Sequence, residues 1–150
     1  MSNQWWDEIL EDLEESRATI QINRSAERVR LTAEVFTPSE LVCRLLKSLP
    51  PESFGPGKLI LDPACGDGQF LFAVKLAKMR IHGMDESAAL MEIFGVDLLA
   101  ENVVLCRRRL GGGQIAVGNA LRPSERVPGQ TSSDRKMLAE IFDGIQASLF

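Results

Sequence analysis

Asp62-Pro63-Ala64-Cys65-Gly66-Asp67-Gly68-Gln69-Phe70-Leu71 is the stretch on which the reading of this chain turns. It is entered by Lys58-Leu59-Ile60-Leu61-Asp62, a short apolar run bounded by turn formers, which is the pattern of a buried strand. It leads into Gln69 to Arg80, where Phe70, Leu71, Val74 and Ala77 share one helical face. Between the two, Gly66 and Gly68 let the backbone turn tightly and pass close to a ligand. The helix N-terminus just beyond offers N–H groups and a positive dipole end. Strand, glycine turn and helix make the opening unit of a doubly wound sheet. Because the third glycine of the dinucleotide fingerprint is missing, a tight turn with no ligand stays open as a reading, while the acid Asp62 at the strand end favours a polar ligand.

Working outward, Ile81 to Ala89 reads as a surface excursion and Met91-Glu-Ile-Phe-Gly-Val-Asp97 as a second strand. Leu98 to Leu110 is a helix stopped by Gly111 to Gly113, and Gln114 to Gly118 is a third strand. A Pro/Ser/Gly-rich stretch from Arg122 to Ser133 leads to a last helical pattern with Leu138, Ile141, Phe142, Ile145 and Leu149. Upstream, Trp5 to Ser16 is an amphipathic helix with Trp6, Leu10 and Leu13 at helical spacing beside Trp5 and Ile9, suited to dock on the body of the domain or on a partner. Ser39 is the expected N-cap of a helix whose stripe is Leu41, Val42, Leu45, Leu46 and Leu49, broken by Pro50-Pro51 and the Phe54 to Gly57 cluster. The expected fold class is α/β and Rossmann-like: an incomplete parallel sheet of about three strands flanked by helices, with an N-terminal helical segment.

The whole is 150 residues, 45% hydrophobic and 25% charged, which suits one globular domain. A formal net charge of -4 excludes a generally basic surface, so any nucleic-acid contact needs a local patch. Arg107 to Arg109 is the one short basic cluster, expected as a solvated helix end stabilised by the C-terminal dipole rather than as a DNA contact. Three cysteines with no C-x-x-C and the single His82 give neither a zinc cage nor a disulfide framework. The first residues are acidic where a secretory signal is basic, and no apolar run approaches the ~18 residues of a membrane span. The expectation is a soluble, cytoplasmic protein with no membrane partner.

The run DPACGDGQFL resembles motif I, DPACGxGxFL, of the adenine-N6 DNA methyltransferases, which use S-adenosylmethionine and are familiar from restriction–modification systems. The upstream TAEVFTPSELVCRLL is similar to that family's motif X, Phe94 to Asp97 with its following helix to motif II, and Gly118-Asn119-Ala120-Leu121 to motif III. Their order X, I, II, III is the gamma arrangement, and they span Thr32 to Leu121. The resemblance implies an N-terminal helical extension over 1–30, a cofactor-binding core over 31–121, and a loop with a C-terminal helix over 122–150. It also implies roles. Asp62 would anchor the methionine ammonium, the backbone at Ala64, Gly66 and Gly68 would wrap the cofactor, and Asp97 would accept the ribose hydroxyls. Asn119 would meet the adenine amino group, and Thr37 with the backbone around Pro38 would close over the methionine carboxylate. Plainer roles stay open for three of these residues: a helix N-cap for Asp97, a turn residue for Asn119, and an ordinary start of a helix for Thr37.

The chain departs from the family at the catalytic motif, [DNS]-P-P-[YF], whose polar residue and aromatic ring hold a flipped adenine. Its only Pro-Pro, Pro50-Pro51, precedes motif I. Phe142 to Phe150 is similar to the family's FDxIxxNPPY, with Ser148 at the polar position, both prolines gone and Phe150 as a weak remnant of the motif, but the 3.6-residue period from Leu138 to Leu149 favours a helix. The resemblance therefore implies a cofactor-binding domain inactive alone, with DNA engaged only together with a partner chain. The alternative is a non-catalytic binding, regulatory or structural module. A sheet of three such strands leaves the first one at an edge, an association hazard expected to be met by self-association or by a second polypeptide supplying a strand.

Overall fold

The computed structural model describes residues 4–21 and 37–149, the side chains of 18–21 and 144–149 excepted. Helix α1 (Gln4–Gln21) and helix α2 (Ser39–Lys47) are followed by a 3-10 turn, Pro51–Phe54. Then come strand β1 (Ile60–Asp62), α3 (Gln69–His82), the short α4 (Glu86–Met91), β2 (Ile93–Asp97), α5 (Ala100–Leu110), β3 (Gln114–Val117) and α6 (Ser132–Leu149). The three strands are parallel in the order β1-β2-β3, with Ile60 opposite Ile93, Asp62 opposite Gly95, Gly95 opposite Ile115 and Asp97 opposite Val117. This is the expected Rossmann-like α/β architecture.

The two-residue pleat sorts the strand side chains into two cores. Ile60, Ile93, Ile115 and Val117 point to the larger one, closed by Ile9 and Leu13 of α1, Val42 and Leu46 of α2, Leu71 and Val74 of α3, and Val103 and Leu110 of α5. Leu61, Phe94, Val96 and Ala116 point to the other face, where Leu138 and Ile141 of α6 cover them. At Gly95 a side chain would drive into Leu71, at 2.8 Å from its Cδ1, so the absent Cβ lets α3 lie flat on β2. Trp6 meets Phe54 edge-on with ring centroids 5.8 Å apart, and Arg80 pairs with Asp12, which together seat α1 on the body as the amphipathic pattern implied.

Several boundaries differ from the sequence reading. The expected excursion over 81–89 holds the end of α3 and most of α4, and Met91 closes that helix instead of opening β2. Pro38, not Ser39, is the N-cap of α2, and the Ser39 hydroxyl is buried with no hydrogen-bond partner. Of the five-residue stripe on α2, Val42 and Leu46 are buried, while Leu41, Leu45 and Leu49 are exposed. The basic cluster is a solvated helix end only in part: Arg107 and Arg108 are exposed in the last turn of α5. Arg109 is buried against Asp67, and Arg107 donates to the Ile115 carbonyl at 2.5 Å and to Asp134 at 3.2 Å.

Lys78 is a buried charge whose three donors are all engaged. Lys78, with no exposed surface, donates to the Lys58 carbonyl at 2.8 Å, the Gly55 carbonyl at 3.3 Å and the Glu92 carboxylate at 2.6 Å. It thereby ties the loop before β1 to the turn before β2. The start of α6 is a reciprocal cap. The Thr131 hydroxyl accepts the Asp134 N–H, and the Asp134 carboxylate accepts the Thr131 N–H. The same carboxylate accepts the Val117 N–H at 3.2 Å, which pins α6 to the end of β3. Among the described residues no helix is long and apolar enough to cross a membrane.

Candidate functional site

All three strands run the same way, so their carboxyl ends and the loops that follow gather at one edge of the sheet, where ligands of doubly wound folds bind. Two adjoining pockets open there. The first, of about 260 Å³, is polar and is lined by residues that include Thr37, Asp62, Ala64, Gly66, Gln69 and Asp97. The second, of about 660 Å³, has apolar walls from Pro63, Leu98, Leu99, Ala120 and Leu121, with Asn119 among them. Ala64 and Asp97 belong to both.

The loop from Asp62 to Gly68 owes its shape to a few bonds. The Cys65 N–H reaches the Val96 carbonyl at 2.9 Å, and the Gly68 N–H closes on the Cys65 carbonyl at 2.9 Å. Both Gly66 (φ 55°) and Gly68 (φ 90°) are in the left-handed region, which a side chain disfavours. At Gly68 the absent Cβ faces α5, where it would sit 2.7 Å from the Cys106 Sγ. The glycine there is required by the helix behind the loop. Asp67 forks onto Arg109 of α5, with N···O distances of 3.3 and 3.4 Å, and anchors the loop from below.

Asp97 is the hinge of the site. One carboxylate oxygen accepts the Gly66 N–H at 3.0 Å, and the other accepts the Leu99 N–H at 2.9 Å and the Asn102 amide at 3.1 Å. The N-cap of α5 is Leu99, so Asp97 makes a side-chain turn ahead of the helix instead of capping it. A carboxylate offers about four lone-pair directions, and three are engaged here. Among the described residues Asp62 accepts only the Ala64 N–H, at 3.1 Å. Burial raises its carboxyl above the ordinary value, the Ala64 N–H works against that shift, and the Asp97 charge adds to it. Among the described residues no cation pairs with Asp62. Hydrogen bonding with Cys106 and burial push the Cys65 thiol far up, so the cysteine of the loop stays a neutral thiol and is no nucleophile.

The pocket also offers donors. The first i→i−4 bond of α3 runs from the Phe72 N–H to the Gly68 carbonyl at 2.8 Å, so the N–H groups of Gln69, Phe70 and Leu71 precede the helical ladder. A site that combines a cation-seeking acid with a helix N-terminus suits a zwitterion, the two ends of an α-amino acid. In the adjoining pocket Asn119 accepts the Leu121 N–H at 3.0 Å in a tight turn, leaving one lone pair of its oxygen for a ligand. Among the described residues no group of His, Cys, Asp and Glu side chains is arranged to hold a metal.

Of the residues singled out from sequence, Thr37, Asp62, Ala64, Gly66 and Asp97 come together on the polar pocket, and Asn119 lies on the apolar one. Pro38 and Gly68 are on neither wall. Pro38 serves as the N-cap of α2, with its carbonyl accepting the Val42 N–H at 3.0 Å. Ser148 lies within α6, and Phe150 lies outside the described residues. Sequence reasoning missed Gln69 and Asn102, polar residues inside helices that carry no pattern of their own. It also missed the apolar wall of Leu98, Leu99 and Leu121, whose signal was a cluster of leucines next to strand ends.

No curated protein and no solved structure shows a significant match to the chain. A family model, N-6 DNA methylase, matches residues 21–112, and that span holds the glycine loop, Asp62, Asp97 and the first two strands. With more than half of its length matched, and with the parallel sheet and loop that such enzymes need, the chain belongs to the N-6 DNA methylase family.

Proposed function

We propose that the two pockets bind S-adenosylmethionine, and that the chain is the cofactor-binding part of a gamma-type adenine-N6 DNA methyltransferase that transfers no methyl group on its own. The observation that carries the reading is the paired chemistry of the polar pocket, an acid with no cation among the described residues beside a helix N-terminus. When bound, the cofactor supplies an electrophilic methyl group on a sulfonium centre. Asp62 would hold the ammonium in a charge-assisted hydrogen bond. Thr37 would meet the carboxylate, and the backbone of Ala64 and Gly66 would follow the chain between the two ends. Asp97 would accept a ribose hydroxyl with the lone-pair direction it has left. The apolar walls would sandwich the adenine, and Asn119 would read its edge.

Methylating a base further requires an acceptor for the target amino group and a ring to stack on it. The 150 residues contain no [DNS]-P-P-[YF] run, and Pro50-Pro51 lies at the 3-10 turn ahead of β1. The transfer step is therefore assigned to the chain only in company. The position of β1 supports this. Among the described residues it pairs with β2 alone, and α6 covers the face of the sheet, a place from which a helix cannot complete a strand ladder. A second polypeptide or another copy of this chain would supply the neighbouring strand.

Calorimetric titration with S-adenosylmethionine and S-adenosylhomocysteine tests the binding half, with saturable one-to-one binding expected. Incubation with labelled cofactor and mixed DNA tests the other half, with no labelled N6-methyladenine expected from the pure chain. Absence of binding overturns the first statement, and detectable transfer overturns the second.

A further inference from the structure

We infer that Gln69 is a ligand-binding residue of the polar pocket and selects for ligands that carry an α-amino-acid tail; the inference rests on the reading above. In the motif DPACGxGxFL the position of Gln69 is a variable one, so the resemblance assigns it nothing. The structure makes it unusual. Gln69 is 5% exposed, opens α3 and lines the polar pocket, and neither its amide nitrogen nor its amide oxygen has a hydrogen-bond partner among the described residues.

Nine in ten or more buried polar groups are paired, because an unmet donor or acceptor costs the fold its full desolvation. A glutamine amide has two donors and an acceptor with two lone pairs, and here all of that capacity is unmet on one side chain. Gln130 is met on one side: its amide nitrogen donates to the Val117 carbonyl at 2.7 Å, and its oxygen alone lacks a partner among the described residues. A leucine or methionine at 69 would fill similar space with no such cost. Since Gln69 lines the pocket, a turn of its buried amide toward that space lets a ligand meet it.

The kind of ligand follows from the neighbours. The amide can donate and accept at once, and it shares the pocket with Asp62 and the first N–H groups of α3. Its nitrogen adds a donor where the helix start favours a carboxylate, and its oxygen adds an acceptor where Asp62 favours an ammonium. A nucleoside without that tail leaves the amide as it is in the free protein. Gln69 is then a specificity residue for the tail and silent toward the nucleoside.

The test compares S-adenosylhomocysteine with 5′-methylthioadenosine, which lacks the amino-acid tail, on the 150-residue chain and on Gln69→Leu by calorimetry. The expected result is a loss of about tenfold or more in affinity for S-adenosylhomocysteine, the effect of a hydrogen bond to a charged group. The affinity for methylthioadenosine should stay within about twofold. Without ligand, Gln69→Leu should melt about 2–4 °C above the parent, since an unmet amide has been removed. Gln69→Met carries the same expectations and serves if the branched side chain disturbs the packing. Equal loss toward both ligands, no loss toward either, or a lowered melting temperature in both variants overturns the inference. If the parent chain binds S-adenosylhomocysteine and the variants bind it equally well, the inference alone fails. If the parent binds neither compound, the proposed function fails with it.

Discussion

Gly68→Ala separates two reasons for a glycine in the loop, closeness to a ligand and closeness to the helix behind it. The residue has φ 90°, and an added Cβ would lie 2.7 Å from the Cys106 Sγ and 3.3 Å from its Cα. Holding a non-glycine residue in the left-handed region costs about 1–2 kcal/mol. Forcing a methyl group into a packed interface adds about 1–3 kcal/mol, and Cys106 is fully buried with little room to turn aside. The sum, about 2–5 kcal/mol, is a large part of a domain stability of about 5–15 kcal/mol. With a slope of about 1–3 kcal/mol per molar urea, the unfolding midpoint should fall by about 1 M or more, with no ligand present. Part of the cost comes from the sulfur, so Gly68→Ala should be cheaper by about 1–2 kcal/mol in a Cys106→Ala background, the coupling of a double-mutant cycle. The reasoning is refuted if Gly68→Ala unfolds at the same urea concentration as the parent, or if its cost is the same with and without the Cys106 sulfur. A variant that keeps its stability and loses only ligand affinity would show that the glycine serves the ligand side.

Asp97→Ala should weaken binding of S-adenosylmethionine by about 1.5–3 kcal/mol in a calorimetric titration. Because the carboxylate also holds Gly66, Leu99 and Asn102, it should lower the urea midpoint as well. Burial works to raise the Asp134 carboxyl, but the N–H groups of Thr131 and Val117, the Thr131 hydroxyl and the Arg107 charge outweigh it and hold it below the ordinary value of 3.8. Its stabilising contribution is therefore complete above the ordinary carboxylate range and is lost as pH falls through that lowered value. The melting-temperature gap between the parent and Asp134→Asn should be widest near neutrality and should close in acid; a gap that does not change with pH would contradict the assignment. Light scattering at low micromolar concentration should show a species heavier than 16.6 kDa, or a hetero-complex once a strand-donating partner is added. A clean monomer with no such affinity and with slow amide exchange at Leu59 to Leu61 would show that the edge of β1 is closed within the chain.

The glycine loop and the three strands around it could be read from residue types because local chemistry decides them. A short apolar run ending in Asp62, two glycines and a 3.6-residue period leave few alternatives. The α4 segment was harder: Gly83 and Asp85 break the pattern, and six residues show less than two turns of periodicity. The cap at Thr131 and Asp134 did carry a signal, T-x-x-D ahead of an apolar run, hidden within a Pro/Ser/Gly-rich stretch. Lys78, Arg107 and Arg109 could not be placed from sequence at all. Their partners are the carbonyls of Lys58, Gly55 and Ile115 and the acids Glu92, Asp134 and Asp67, and those contacts exist only after the helices have packed. For α2 the stripe was right in kind but too wide, because the period cannot say which half of an apolar face meets the core.

The strands occur in the same order along the chain and across the sheet, and that bears on how the protein is made. Each strand pairs with the one synthesised just before it, so no strand has to slot between two others, and the sheet can grow outward as the polypeptide emerges. Until a neighbouring strand is supplied, β1, the first of the three to be made, has no strand on its outer side among the described residues. During that time Leu59, which is 54% exposed even at the end, stands next to an unpaired row of backbone groups. The charge on Lys58 immediately beside it is the kind of flanking residue that slows like-with-like strand stacking. Replacing that lysine with an apolar residue would be felt first as poor recovery from the cell, and only afterwards as lost stability.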